Sequence, residues 1–282
     1  MHFIINLILS ILIPILAVIK GSLTLDGALT AGITFMVHLT VGISPAVFIM
    51  AFFLTSSILT KVGMNKKRKL EEKYVEESKR SSIQVLCNSL LATISCIMLL
   101  LTDAPNGTSA CFGLSSFQVF LYGIIPGFYS CTNGDTWSSE VGILSKTHPF
   151  HIITFKQVPA GTNGGVSSLG LISGFCGSLL IGLIGGLVFL MNCPFDITLF
   201  ILTSSSITIS GVIGNLLDSI LGGTLQYSGW DEKRKCVVRK SGDNVTRISG
   251  VDVLSNSAIN FITSSMSGII CGCLFLYIRY IY

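Results

Sequence analysis

The sequence predicts an all-α, polytopic membrane protein: one membrane domain, residues 1–282, of about eight transmembrane helices. Three observations carry that expectation. The 282 residues are 50% hydrophobic and only 11% charged, where ordinary soluble domains carry about 25% charged residues. Mean hydropathy is +0.74. Apolar runs near twenty residues, which match the hydrocarbon thickness of a bilayer, recur along the whole chain, and the short alternating segments of a β-barrel do not.

The first run, Phe3–Ile19, has no basic n-region and no A-x-A site after it, so it reads as a helix and not as a signal peptide. Spans two and three cover 27–41 and 43–60, with a turn at "TVGISPA" (Thr40–Ala46), where Gly42 and Pro45 punctuate the pattern. The remaining spans fall at 83–102, 114–130, 166–191, 197–221 and 256–278. Nine cysteines are scattered through the chain without a CxxC pair or a histidine cluster, so no structural zinc site is expected. Cys111 and Cys193 could pair if both face an oxidising lumen.

Charge alternates from loop to loop. Lys20 and the loops at about 61–80, 131–165 and 227–253 hold 17 of the 18 Lys and Arg residues, and the intervening loops hold none. The positive-inside rule places these four segments in the cytoplasm and both termini on the other side. Arg279 is the exception, and its long side chain can snorkel to the interface. On this map the sequon at Asn106 is non-cytoplasmic and the one at Asn244 is cytoplasmic. Segment 61–80 mixes four glutamates with its basic residues; it reads either as a solvated helix with i,i+4 charge pairs or as a contact for anionic headgroups or a nucleotide.

Polar residues then stand out against the apolar spans. In "CTNGDTWSSEVGILSK" (Cys131–Lys146), a helix over Asn133–Ile143 puts Asp135, Ser138, Ser139 and Gly142 on one face. Glu140 lies about 140° round from Asp135. Either the helix breaks or the two acids have different partners. In "FKQVPAGTNGGVSSLG" (Phe155–Gly170), Pro159 stops any helix, Gly161, Gly164 and Gly165 let the backbone curl around Thr162 and Asn163, and Asn163, Ser167 or Ser168 can cap the next span. Amides at such a turn, with Lys156 nearby, suit a phosphate; a simple re-entrant turn would look the same. "SGVIGNLLDSILGGTLQ" (Ser210–Gln226) lines up Gly211, Asn215, Asp218 and Gly222 on one face. An aspartate inside a membrane helix costs a few kcal/mol unless it is paired, hydrated or metal-bound. Gln84 with Asn88, Asn256 with Asn260, and Ser56 with Ser57 are further polar pairs that either hold helices together or line an interior. All lie toward the cytoplasmic ends, so Asp135, Glu140, Asn163, Asp218 and Asn256 are expected to ring one cytoplasm-facing cavity. Mg²⁺, which takes one or two carboxylates plus substrate phosphates, would make that ring tolerable. The basic loops would attract an anionic substrate, and apolar walls would admit a lipid tail.

The chain resembles the transmembrane protein 19 family. The resemblance rests on "SLTLDGALTAG", "FFLTSSILTKVG", "QVLCNS", "GDTWSSEVGILSK", "VPAGTNGGVSSLG", "GNLLDSILGGTLQ" and "NSAINF", in that order from Ser22 to Phe261. Asn133-Gly134-Asp135 departs from the Ala-Asp common in the family and keeps the carboxylate. The family includes a plant and cyanobacterial phytyl-phosphate kinase and is similar in outline to dolichol kinase and the membrane cytidylyltransferases. The resemblance therefore implies a prenyl-phosphate kinase that uses CTP or another nucleotide. Asp135 and Asp218 would hold Mg²⁺, and Glu140 would ligate a second ion or order a water. Gly161–Gly165 and Lys156 would cradle phosphate, with Asn133, Thr162, Asn163, Ser167, Asn215, Asn256 and Asn260 lining the nucleotide or lipid site. The expected partners are the bilayer and an isoprenoid lipid phosphate, with no nucleic acid; an endomembrane such as the ER is the expected location, and no oligomeric state is implied. A transporter or channel, whose acids would lie at mid-depth, and a non-catalytic scaffold are the competing functions.

Overall fold

The computed structural model describes residues 2–70, 78–104, 113–192 and 196–281. Helix α1 (His2–Ile19) and α2 (Leu25–Val41) form a hairpin, and Thr24 caps α2 by accepting from the Gly27 amide at 3.2 Å. Gly42 alone separates α2 from α3 (Ile43–Lys61). Gly63, at φ +67°, then reverses the chain into the short α4 (Met64–Leu70); only glycine adopts that conformation without strain.

Helices α5 (Ser82–Cys87) and α6 (Leu90–Leu101) stand where one span, 83–102, was expected. The helix breaks at Asn88–Ser89, where Ser89 leaves helical geometry with φ −147°. Helix α7 (Ser116–Gly142) begins at a capping box between Ser115 and Gln118 and keeps Pro126 inside it. It ends twelve residues beyond the expected boundary at 130, so residues 131–142 are helix and not loop. Nothing between Cys131 and Gly142 stops a helix, and neighbouring helices cover its polar side chains. Sequence hydropathy reads the loss of apolar character, not the end of the hydrogen-bond ladder.

A two-stranded antiparallel pair, β1 (Phe150–His151) with β2 (Gly165–Val166), precedes α8 (Ser168–Asn192). Helix α9 (Ile197–Leu225) is capped by Asp196, which accepts from Thr198 N and Leu199 N at 2.8 and 3.1 Å. Strands β3 (Ser228–Asp231), β4 (Cys236–Val238) and β5 (Val245–Ser249) form an antiparallel sheet in the order β4-β3-β5, and α10 (Asn256–Ile281) follows. The all-α expectation is corrected here: the basic loop at about 227–253 folds as a sheet, because Trp230, Val237, Val238, Val245 and Ile248 supply β-favouring residues around two turns. The rest is helical. Helices α3, α8, α9 and α10 are long and apolar enough to cross a membrane, and α1, α2 and α6 are shorter apolar helices.

Helix α7 is the hub, packing against α3, α6, α8, α9 and α10. Its Phe128 and Tyr129 are fully buried, and Tyr129 Oη lies 2.9 Å from His38 Nε2 on α2. Close approach depends on small residues: Gly127 meets Ser267, Gly268 and Cys271 of α10, and Gly134 and Gly142 meet Gly170, Gly174 and Ser178 of α8.

The charge alternation read from the sequence is an alternation in space. Lys61 Nζ donates to Lys20 O, Lys66 Nζ to Leu144 O, and Arg80 Nη1 to Ser57 Oγ, and α4 touches β4. The basic segments thus gather at one end of the bundle. At the other end Arg279 donates to the Leu114 carbonyl and Asn6 to Leu39 O. Asn106, Cys111, Cys193 and the four glutamates of segment 61–80 lie outside the described residues.

Candidate functional site

Helices α7 and α9 run side by side in the same direction. A Cβ on Gly211 would strike Ser130, and one on Gly214 would strike Cys131. One helical turn further along each helix from the Cys131–Gly214 contact come Asp135 and Asp218. The two carboxylates lie in each other's field, and both act on the Cys131 thiol between them. Antiparallel α10 closes the third side. Ser267 Oγ donates to Gly127 O at 2.8 Å, Thr132 Oγ1 donates to Ser264 Oγ at 3.1 Å, and Thr263 Oγ1 donates to Asp218 Oδ2 at 3.0 Å. One turn closer to the basic end, Asn260 holds its Oδ1 buried and without a hydrogen-bond partner among the described residues. Asp135 stands seven residues before the end of α7 and Asp218 seven before the end of α9, which is about 10 Å of helix.

The chemistry of this site is an excess of oxygen. Two half-buried carboxylates repel each other across a helix interface. Among the described residues no Lys or Arg forms an ion pair with either. Two carboxylates on facing helices are the kind of oxygen donors Mg²⁺ takes alongside phosphate, so their chemistry fits that ion.

Glu140 does not join them. Helix α7 is unbroken, so the two acids have different partners: Glu140 Oε2 pairs with Lys67 Nζ at 2.6 Å, and its Oε1 accepts from Thr60 Oγ1 at 2.9 Å. Lys67 is 0% exposed and also donates to Leu59 O. Glu140 is thus engaged by Lys67 and Thr60, and among the described residues no three His, Cys, Asp or Glu side chains group as a metal site.

Asn133 is also corrected. It is fully buried; its Oδ1 accepts from Thr55 and Ser56 hydroxyls at 3.0 and 3.2 Å and its Nδ2 donates to Gly177 O at 2.8 Å. It ties α3, α7 and α8 together and offers nothing to a ligand. Asn215 is buried against Gly174, where a Cβ would collide with its Nδ2.

The glycine-rich turn packs on the end of α9 beyond Asp218. Gly164 (φ +75°) sits against Ser219 O and Gly223, an approach a side chain would block. Three amides of the turn are committed to protein, however. Thr162 N donates to Pro159 O, Gly165 N to Thr162 O, and Asn163 N to Ser228 Oγ at 3.0 Å. Asn163 Nδ2 donates to Tyr227 O at 3.2 Å, and Thr162 Oγ1 to Pro159 O. The turn thereby docks the 228–249 sheet onto the bundle, using three of the five amides of the expected phosphate cradle over Gly161–Gly165. Ser167 caps α8, accepting from Gly170 N at 3.1 Å. Asn256 is exposed and accepts from Gln226 Nε2 at 3.5 Å, and Lys156 is exposed on the covering loop. Of the expected ring, Asp135 and Asp218 meet, with Asn260 beside them; Glu140, Asn163 and Asn256 have other partners.

Lys67 and Thr263 were missed by sequence reasoning. Lys67 sits in a basic run that looks solvated, and only the turn at Gly63 could have hinted that it folds under the bundle. Thr263 sits one helical turn from Asn260 in a span rich in serine and threonine, and nothing in the sequence singles it out.

A model of the family described as "Integral membrane protein DUF92" matches residues 8–268. Protein PGR of Arabidopsis thaliana is 38% identical over 277 residues, covering 96% of this chain and 95% of that protein. The uncharacterized membrane protein MJ0933 of Methanocaldococcus jannaschii is 30% identical over 275 residues, covering 96% and 94%. Protein VTE6, chloroplastic, of Arabidopsis thaliana is 27% identical over 179 residues, 63% of this chain and 48% of that protein. No solved structure matches the chain. With a family model spanning most of its length, two full-length relatives and a bundle of apolar helices, this chain belongs to the DUF92 family of multi-pass integral membrane proteins.

Proposed function

We propose that the protein is a membrane phosphotransferase that extends an isoprenoid lipid monophosphate to the diphosphate, with a nucleoside triphosphate such as CTP as donor, at the cytoplasmic face. The observation that carries this reading is the Asp135–Asp218 pair: two acids from parallel helices, set about 10 Å in from the basic end, with no ion-pair partner among the described residues. The resemblance of the surrounding motifs to a family that contains a phytyl-phosphate kinase supports the choice of substrate.

Asp135 and Asp218 would hold Mg²⁺. The ion supplies charge neutralisation on the nucleotide phosphates when bound. The chain's own residues do the rest by positioning. Thr263 fixes the rotamer of Asp218 through its hydroxyl, and the contact of Gly214 with Cys131 sets the spacing between the acids. A terminal oxygen of the lipid phosphate attacks the γ-phosphorus, the bond from that phosphorus to the β-bridging oxygen breaks, and the nucleoside diphosphate leaves with the electron pair. The attacking oxygen is already ionised, so no general base is required, and positioning with electrostatics carries the reaction. The basic end of the bundle raises the local concentration of anionic substrates.

The test is direct. Purified protein with prenyl monophosphates of several chain lengths, Mg²⁺ and each of CTP, ATP, GTP and UTP should form the diphosphate with at least one donor. The absence of product across all combinations overturns the proposal.

A further inference from the structure

The covering loop between α7 and α8 displays large apolar side chains outside any helix: Phe150 is 46%, Ile153 44% and Phe155 79% exposed. Pairing of β1 with β2 sets Phe150 opposite Val166, two residues before α8 begins at Ser168. The apolar stretch of α8, Ser168–Met191, has 24 residues and measures about 36 Å, against about 30 Å of hydrocarbon, so the loop stands level with lipid headgroups. Strand neighbours point to opposite faces. The His151 ring packs inward on Gly223 of α9, and Phe150 therefore faces away from α9. The tip of the loop is built around His151, which is buried. Every amide from His151 to Phe155 has an acceptor in the protein. His151 N donates to Lys156 O at 2.9 Å, Ile152 N to Gly164 O at 2.8 Å and Phe155 N to His151 O at 2.8 Å. Ile153 N and Thr154 N both donate to His151 Nδ1, at 3.3 and 3.4 Å. Phe155 is held at φ +55°, a conformation that bulky residues seldom adopt.

We infer that residues 150–156 form an interfacial membrane anchor, with Phe150, Ile153 and Phe155 entering the boundary between headgroups and acyl chains of the leaflet at the basic end. A loop amide in water needs no internal acceptor, whereas an unsatisfied one in lipid is costly; here the whole tip is satisfied from within. The exposed side chains are aromatic and aliphatic, as suits that depth. Lys146 and Lys156, both exposed, flank them, and long cationic side chains at this level reach lipid phosphates. The strained Phe155 backbone presents its ring outward, which is unfavourable in water and favourable in lipid. Through His151 on Gly223 and Gly164 on Ser219 O, the anchored loop is also seated on the turn of α9 that follows Asp218. The anchor does not depend on the phosphotransferase reading.

The test uses the full chain in phosphatidylcholine nanodiscs, with the photoreactive residue benzoylphenylalanine in place of Ile153, Phe155 or, as a contrast, Lys233 in the exposed turn between β3 and β4. After irradiation, adducts are identified by mass spectrometry. Lipid adducts at 153 and 155 should exceed those at 233 about tenfold. His151→Leu strands the amides of Ile153 and Thr154, and should lower the lipid adduct at 155 about fivefold with an unchanged elution profile. The comparison of 155 with 233 in the otherwise native chain decides the matter even if that variant fails to fold. The absence of lipid adducts at 155, equal yields at 155 and 233, crosslinks from 155 to a second copy of the chain instead of lipid, or a yield indifferent to His151→Leu would overturn the inference.

Discussion

Two buried polar clusters lie on α7 less than two helical turns apart, and they differ in whether the protein answers its own charges. Around Asn133 and Glu140, every polar group meets a partner from another helix: Thr55, Ser56 and Gly177 for the amide, Lys67 and Thr60 for the acid. Around Asp135 and Asp218, two like charges face each other, and Thr263 Oγ1 donates to Asp218. Buried polarity that is satisfied internally holds a fold together; buried polarity that is not satisfied costs stability and is retained where something else completes it. The first cluster is a joint, and on the proposed function the second is the site.

The sharpest way to break this distinction is at the acids. Asp218→Asn, and separately Asp135→Asn, should lower turnover about a thousandfold, of the order lost with a single group that stabilises transition-state charge. Thermal stability should stay level or rise, since a like-charge repulsion is removed. At the joint the sign reverses. Lys67→Met strands Glu140 in a largely buried position and should cost about 3 kcal/mol of stability, with Lys67→Met/Glu140→Leu recovering most of it. Denaturation of the detergent-solubilised protein reads both. Asn133→Ala removes three hydrogen bonds and leaves their partners buried; a loss of about 2 kcal/mol is expected, with turnover per folded molecule unchanged. Smallest is Lys156→Ala. Its side chain is exposed, so turnover should fall by no more than about threefold, and less at high salt.

Much of this was legible in the sequence. Hydropathy alone placed the expected segments 43–60, 166–191, 197–221 and 256–278 within a few residues of the four helices long and apolar enough to cross a membrane, because a bilayer imposes length and composition directly. Asp135 and Asp218 stood out because carboxylates are rare in apolar helices. What hydropathy could not read was tertiary. It ended α7 at 130 because polarity rose there, although α8, α9 and α10 cover those side chains and the helix continues. It left Lys67 in a solvated run, although Gly63 folds that run under the bundle. It treated 227–253 as loop because charged residues outnumber the alternating Val, Trp and Ile that form the sheet. The glycine turn is legible only in part: its composition suits both a phosphate cradle and a docking corner, and the hydrogen-bond partners of Thr162, Asn163 and Gly165 show the docking. An endomembrane location has no support from the relatives, one of which is named as chloroplastic.

The central claim is that Asp135 and Asp218 share one ligand that Glu140 does not. Binding of Mn²⁺ followed by electron paramagnetic resonance, with a non-hydrolysable nucleoside triphosphate present, addresses it most directly. One tightly bound ion per chain is expected in the wild type and in Lys67→Met/Glu140→Leu, and in neither Asp135→Asn nor Asp218→Asn. Equal Mn²⁺ binding by wild type and both aspartate variants, or its loss only when Glu140 is replaced, would contradict it.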